Sequence, residues 1–215
     1  MQSSEIQIMS NYDDLQTGDI ILCHGYNPKG LDPGIDGAIE FFTHSPWEHA
    51  AIIIRDPWWC NLPKGLYIYQ SGWGPNGYFD VLNGKVRGVT LNHFDDFMTN
   101  RHHIYVRKIS GNTWGNAEKA AFVKAFNISH GKPYDANWCS WCCACLNSFF
   151  FCKCCNCCIP RTEKTFWCSA LVGFMYVEMG WMQQKTDWTS LTPEDLAKAA
   201  LLPPYKLSEL KLIKN

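Results

Sequence analysis

The apolar pattern of this chain changes character along its length, and that change constrains the fold more than any single residue. Short runs rich in β-branched residues come first: Ile20-Ile-Leu-Cys23, Glu48 to Ile54, Leu66 to Ser71, Val86 to Leu91 and His103 to Arg107. Each has strand length, and several are bounded by turn residues such as Thr17-Gly-Asp19 and Asp56-Pro57. Ala38 to Phe42 reads as a short helix. Helical spacing then takes over. Asn116 to Ile128 carries Phe122 and Phe126 on one side, and Phe166 to Met179 reads as a strongly apolar helix. Thr192-Pro-Glu-Asp195 has the chemistry of a helix start: a capping hydroxyl, proline at the first helical position and acids at the positive end of the dipole. That helix is expected to run to about Leu202, before Pro203-Pro204. Strands first and helices mostly after predict an α+β domain, with an antiparallel sheet packed on helices.

A chain of 215 residues can bury one substantial core. The expected organisation is a flexible N-terminus over 1–14 and a single domain over 15–215, interrupted by a cysteine-rich insertion at 138–158. A net charge of −1 argues against a nucleic-acid partner recruited by bulk electrostatics. The opening Met-Gln-Ser-Ser-Glu-Ile shows no basic region followed by an apolar core, and Gln2 does not fit N-myristoylation. The expected location is intracellular rather than secreted.

Two residues far apart have the chemistry of a thiol hydrolase. With Thr165 as N-cap, Cys168 falls near the third position of its helix, where unpaired N–H groups and the dipole lower a thiol pKa and could hold an oxyanion. His49 stands at the start of a buried strand and could act as the base for that thiol. A histidine base needs a third group to fix its tautomer, and Gln70 on the following strand can supply an amide oxygen. Against this, buried cysteine and a strand-end histidine satisfied by backbone are both common. Trp47, Tyr134 and Trp167 are the candidate substrate-pocket walls.

Four segments in order carry a resemblance. They are Thr17-Gly-Asp-Ile-Ile-Leu22, Ser45-Pro-Trp-Glu-His-Ala-Ala-Ile-Ile53, Gly131-Lys-Pro-Tyr-Asp135 and Cys168-Ser-Ala-Leu-Val172. Together they resemble the circularly permuted NlpC/P60 branch of the papain-like superfamily, nearest to the YiiX/YebB-type permuted amidases and hydrolases and their viral relatives. The resemblance implies a permuted papain-like fold, with Cys168 as nucleophile, His49 as base and Gln70 at a third position where many relatives carry Glu. It implies a cysteine hydrolase that cleaves an amide or ester through an acyl-thioenzyme, on a peptide, lipid or acylated-protein substrate. An acyltransferase of the same fold is the nearest alternative. A largely non-catalytic virion or membrane-associated structural protein is a second, and a zinc-stabilised interaction module a third.

The insertion is the other unusual feature. Of 12 cysteines, nine lie between Cys139 and Cys158. Cys139, Cys142, Cys155 and Cys158 have pair spacings that suit a zinc tetrathiolate. Cys142, Cys143, Cys154, Cys155, Cys157 and Cys158 are equally candidates for lipidation, which with the aromatic residues around them suggests a membrane-facing hairpin. A local disulfide cluster, or an apolar loop with dispensable thiols, is the remaining reading. No resident cofactor is expected outside this segment.

Overall fold

The computed structural model describes residues 12–24, 46–72, 79–135 and 162–215. Its centre is an antiparallel sheet. β1 (Ile20–His24), β2 (Trp47–Arg55), β3 (Leu66–Gly72), β4 (Gly88–His93), β5 (Ile104–Arg107) and β8 (Lys211–Lys214) join in the order β4-β3-β2-β1-β5-β8. A second ladder pairs β6 (Ile109–Ser110) with β7 (Lys206–Leu207). The helices are α1 (Phe94–Asn100), α2 (Asn116–Ser129), α3 (Cys168–Glu178) and α4 (Pro193–Lys198), with a 3₁₀ turn at Trp188–Ser190 before α4. The fold is α+β, an antiparallel sheet packed against helices.

Strand alternation splits the core into two layers. Ala50, Ile52 and Ile54 of β2 and Tyr67 and Tyr69 of β3 join Phe122 and Phe126 of α2 and Leu171, Val172 and Phe174 of α3. Ala51, Ile53 and Ile68 face the other way, against Phe94 and Phe97 of α1. With both faces covered, β2 reads as a near-continuous apolar run rather than an alternating one.

The Gly18-Asp19 pair opens the sheet for reasons of space and hydrogen bonding. Gly18 has φ +97°, and a Cβ there would lie 2.8 Å from the Trp181 ring. Its carbonyl accepts from Tyr176 Oη at 2.5 Å. The buried Asp19 carboxylate accepts the N–H groups of Gln16 and Ile109, each at 2.9 Å, tying the start of β1 to β6.

Two sequence expectations move. The helix expected over Phe166–Met179 begins two residues later. Phe166 is held in a parallel bridge to Tyr134, its N–H on Pro133 O and its carbonyl receiving Asp135 N–H, so Thr165 cannot be the cap. Trp167 is the N-cap, without a side-chain bond. The α4 helix starts as its sequence predicts, with reciprocal Thr192 and Asp195 bonds, but stops at Lys198. There the buried Arg107 guanidinium takes the carbonyls of Leu196 and Ala199 at 3.0 and 2.9 Å. The helix expected over Ala38–Phe42 lies outside the described residues.

The expectation of a membrane-associated or virion protein is corrected. No helix among the described residues is long and apolar enough to cross a membrane. The most apolar of them, α3, has 11 residues. Its length is about 16 Å against a hydrocarbon core of roughly 30 Å. It is apolar all round because it is enclosed: Cys168 to Val177 are all buried, between the sheet, α2 and the Trp188–Leu191 segment.

Candidate active site

His49 lies on β2 directly opposite Cys23 of β1. Its side chain shares the face of Ala51 and Ile53, and its ring centroid is 6.2 Å from that of Phe97 on α1. On β3, Gln70 has the parity of Ile68 and reaches the same face. His49 Nε2 and Gln70 Oε1 are 2.8 Å apart, both residues being buried.

The network beyond Gln70 fixes which ring nitrogen carries the proton. Asn92 Nδ2 donates to the backbone carbonyl of Phe79 at 3.0 Å, and a carbonyl can only accept. Asn92 Oδ1 is therefore the acceptor, and it receives Gln70 Nε2 at 2.8 Å and Thr90 Oγ1 at 3.0 Å. With its nitrogen committed to Asn92, Gln70 presents its oxygen to His49. His49 then donates through Nε2–H, which leaves Nδ1 as the basic nitrogen. Thr90, Asn92 and Gln70 form a relay of three buried side chains that ends on the imidazole.

The helix that begins at Cys168 packs on β2 from the other face of the sheet. β2 and β3 pair from Arg55↔Leu66 to Ile52↔Tyr69, and the ladder then ends. Ile53 N–H bonds Asp19 O on the β1 side. By alternation, Ala50 N–H points to the β3 side, past the last pair. It favours the Cys168 thiolate, as does the N–H of Ser169. The first residue of α3 thus enters the gap where two strands separate, next to the peptide that follows His49.

Several bonds hold the start of α3 in that gap. Ser71 Oγ donates to Phe166 O at 2.6 Å, Ser169 Oγ to Leu191 O at 2.6 Å and Trp167 Nε1 to Leu191 O at 3.2 Å. Gly173 lets the Trp188–Leu191 segment lie close, since a Cβ there would be 2.5 Å from Leu191 Cδ1. The bridge between Tyr134 and Phe166 brings the two flanks of the 136–161 stretch together just before Cys168.

Burial governs the ionisation of both groups. It pushes the Cys168 thiol above its ordinary 9.0, an effect offset in part by the Ala50 and Ser169 N–H groups and by Arg101. This reverses the expectation that the helix start would lower the thiol pKa. Burial also holds His49 well below the usual imidazole range; Arg101 adds to this and the Gln70 bond opposes it. The resting pair is a neutral thiol and a neutral imidazole.

The candidate pocket residues flank the motifs. Trp47 lies two residues before His49 and packs edge-on against Tyr105, ring centroids 5.0 Å apart. Trp167 caps α3, and Tyr134 bridges Phe166. Sequence reasoning missed Arg101, Cys23, Asn92 and Thr90. The pairing of β1 with β2 could have revealed Cys23, and the alternation Thr90, Asn92 could have revealed the relay. Arg101 follows a short helix with no local mark.

Among the described residues no cluster of three or more His, Cys, Asp or Glu could hold a metal, and Cys23, Cys60 and Cys168 are free thiols. The zinc candidates Cys139, Cys142, Cys155 and Cys158 lie outside the described residues. So do the lipidation candidates Cys142, Cys143, Cys154, Cys155, Cys157 and Cys158. No family model matches the chain, and no curated protein matches it significantly.

Proposed function

We propose that this chain is a cysteine hydrolase of the circularly permuted papain-like NlpC/P60 type, cleaving an amide or ester bond. The observation that carries the reading is the Thr90–Asn92–Gln70 relay. It sets His49 in the tautomer whose free Nδ1 can take a thiol proton, and the next N–H along the strand, that of Ala50, favours the Cys168 thiolate.

The chemistry follows from a neutral resting pair. As the scissile carbonyl approaches, His49 Nδ1 removes the Cys168 proton and the sulfur attacks carbon. Gln70 holds the imidazole in orientation as an amide; it does not stabilise the imidazolium as a carboxylate would. The Ser169 and Ala50 N–H groups, which favour the thiolate, can serve as donors to a developing oxyanion. The imidazolium then gives its proton to the leaving amine or alcohol. Water, activated by the same nitrogen, releases the acyl group and restores the thiol.

The test is site-mapped alkylation by iodoacetamide near neutral pH. If His49 is the base, His49→Ala slows labelling of Cys168 by roughly tenfold or more, within the general-base range, while Cys60 is unaffected. A Cys168 rate that is the same in wild type and in a folded His49→Ala variant sinks the proposal.

A further inference from the structure

We propose that Asp80 is a positioning residue for the His49 base. By holding the Phe79 carbonyl against Asn92, it fixes the direction in which the Thr90–Asn92–Gln70 relay donates, and so the ring nitrogen that carries the proton. This inference rests on the reading of His49 as the base for Cys168 and deepens it to what sets that base.

The three links from Thr90 to His49 can run either way. If the Asn92 and Gln70 amides turn over together, the same contacts survive with each donor exchanged. Asn92 Nδ2 then donates to Gln70 Oε1 and to the Thr90 hydroxyl, and Gln70 Nε2 donates to His49 Nε2. The imidazole must accept at Nε2 and carry its proton on Nδ1, the nitrogen that has to be unprotonated to take the thiol proton. Phe79 O, 3.0 Å from Asn92 Nδ2, breaks this symmetry. A backbone carbonyl cannot donate, so the Asn92 atom facing it must be the nitrogen. In the reversed relay two acceptors would meet there.

The direction of a buried relay thus depends on a carbonyl in a surface turn. Phe79 is 71% exposed, so its side chain gives that carbonyl little anchorage. The next residue supplies it. Asp80 is buried, and both of its oxygens accept. Oδ1 takes the N–H groups of Leu82 and Asn83 at 2.7 and 3.2 Å, which closes the turn. Oδ2 takes the Leu91 N–H at 3.2 Å and pairs at 2.7 Å with Nε2 of His130, the C-cap of α2. Val81 N–H completes the clamp on Leu91 O at 2.8 Å. The turn is therefore fastened to Leu91, the neighbour of Asn92. Burial raises the Asp80 carboxyl, but the His130 bond and the Leu82 and Leu91 N–H groups more than offset it, and the group stays ionised.

The tautomer is read from the ring nitrogen chemical shifts of His49 in the full chain near neutral pH, where its depressed pKa keeps it uncharged. In the wild type the proton sits on Nε2. Asp80→Asn keeps the shape but offers one accepting oxygen, so the turn loses its hold on either Leu82 or Leu91. We expect an Nδ1–H signal to appear in that variant and iodoacetamide labelling of Cys168 to fall by about tenfold, within the general-base range. His130→Phe keeps a ring against Phe126 but gives Asp80 no donor, and it should move both readings the same way by less. A wild-type ring protonated on Nδ1 overturns the inference. So does an Nε2–H signal left unchanged by Asp80→Asn, or by His130→Phe where Asp80→Asn does not fold, because a turn that is only structural lowers the denaturant midpoint without moving the proton. If labelling still depends on His49 in that case, the hydrolase reading stands without it. A tautomer that follows Asp80, with Cys168 labelled equally fast in the presence and absence of His49, supports the relay and contradicts the hydrolase reading.

Discussion

Replacing Gln70 by Ala leaves the His49 ring without the acceptor that fixes Nε2–H, and removes one of the donors to Asn92 Oδ1. The imidazole then samples both tautomers and turns. Turnover, or His49-dependent alkylation of Cys168, should fall roughly 10- to 100-fold, a part of what a positioned base contributes. Gln70→Glu acts differently. A carboxylate beside the imidazole favours its charged form, so the acid limb of the pH–rate profile moves to higher pH. Both variants are read from rate against pH, and an unmoved acid limb in Gln70→Glu would show that the residue does not act through His49. The thiol carries its own signature. Because burial holds Cys168 above 9.0, its alkylation should still be rising past that pH. At this scale the candidate residues themselves were legible, since strand periodicity and a helix start need only local sequence. The sign of the thiol shift was not, because desolvation depends on how completely the fold covers the sulfur.

α3 shows how an element's limits are set by its neighbours. Its apolar residues define a helix in any context, but Phe166 is committed to Tyr134 and Pro133 and cannot join it. The result places Cys168 at the first helical position instead of the third. Gly173 is the tight point of this packing. Gly173→Ala drives a methyl to 2.5 Å from Leu191 Cδ1 and 3.1 Å from Trp188 Cβ. Overpacking of this kind costs about 1–3 kcal/mol, read as a lower denaturant midpoint. Since Leu191 O also holds Ser169 and Trp167, the same variant should slow Cys168 labelling. An unchanged midpoint together with an unchanged labelling rate would show that the segment yields freely. β6, β7 and β8 are strands that sequence reading left out. The Lys211-Leu-Ile-Lys214 run of β8 is too short to stand out, and only its pairing with β5 makes it a strand.

Across the whole molecule, two buried groups set opposing pH dependences. Burial raises Asp19 to about 6. The folded state then keeps a proton that the unfolded chain releases near 3.8, so stability falls as pH rises from about 4 to about 6, by roughly 3 kcal/mol for the whole interval. His49 runs the other way. Its folded pKa is depressed, so the unfolded chain binds a proton first, and stability falls as pH drops below 6.5. The wild type should therefore show a shallow stability profile between pH 4 and 6. His49→Ala should unmask a negative slope and Asp19→Asn a positive one, both read by denaturant titration across that interval. Two variants with the same slope would contradict the assignment of opposing groups. Asp80, whose folded pKa is lowered against burial by its bond to His130 at 2.7 Å, loses its contribution only below 3.8. The sequence by itself determined the strand-then-helix order, the strand carrying His49, the capped start of α4 and the thiol at the head of an apolar helix, because each depends on periodicity and on neighbours a few residues away. The tertiary structure alone decided that β2 and β3 part beside Ala50, that Gln70 faces His49 with its oxygen, and that Arg101 and Cys23 stand at the site. Those facts come from contacts between distant segments and from the burial they create, which local patterns do not encode.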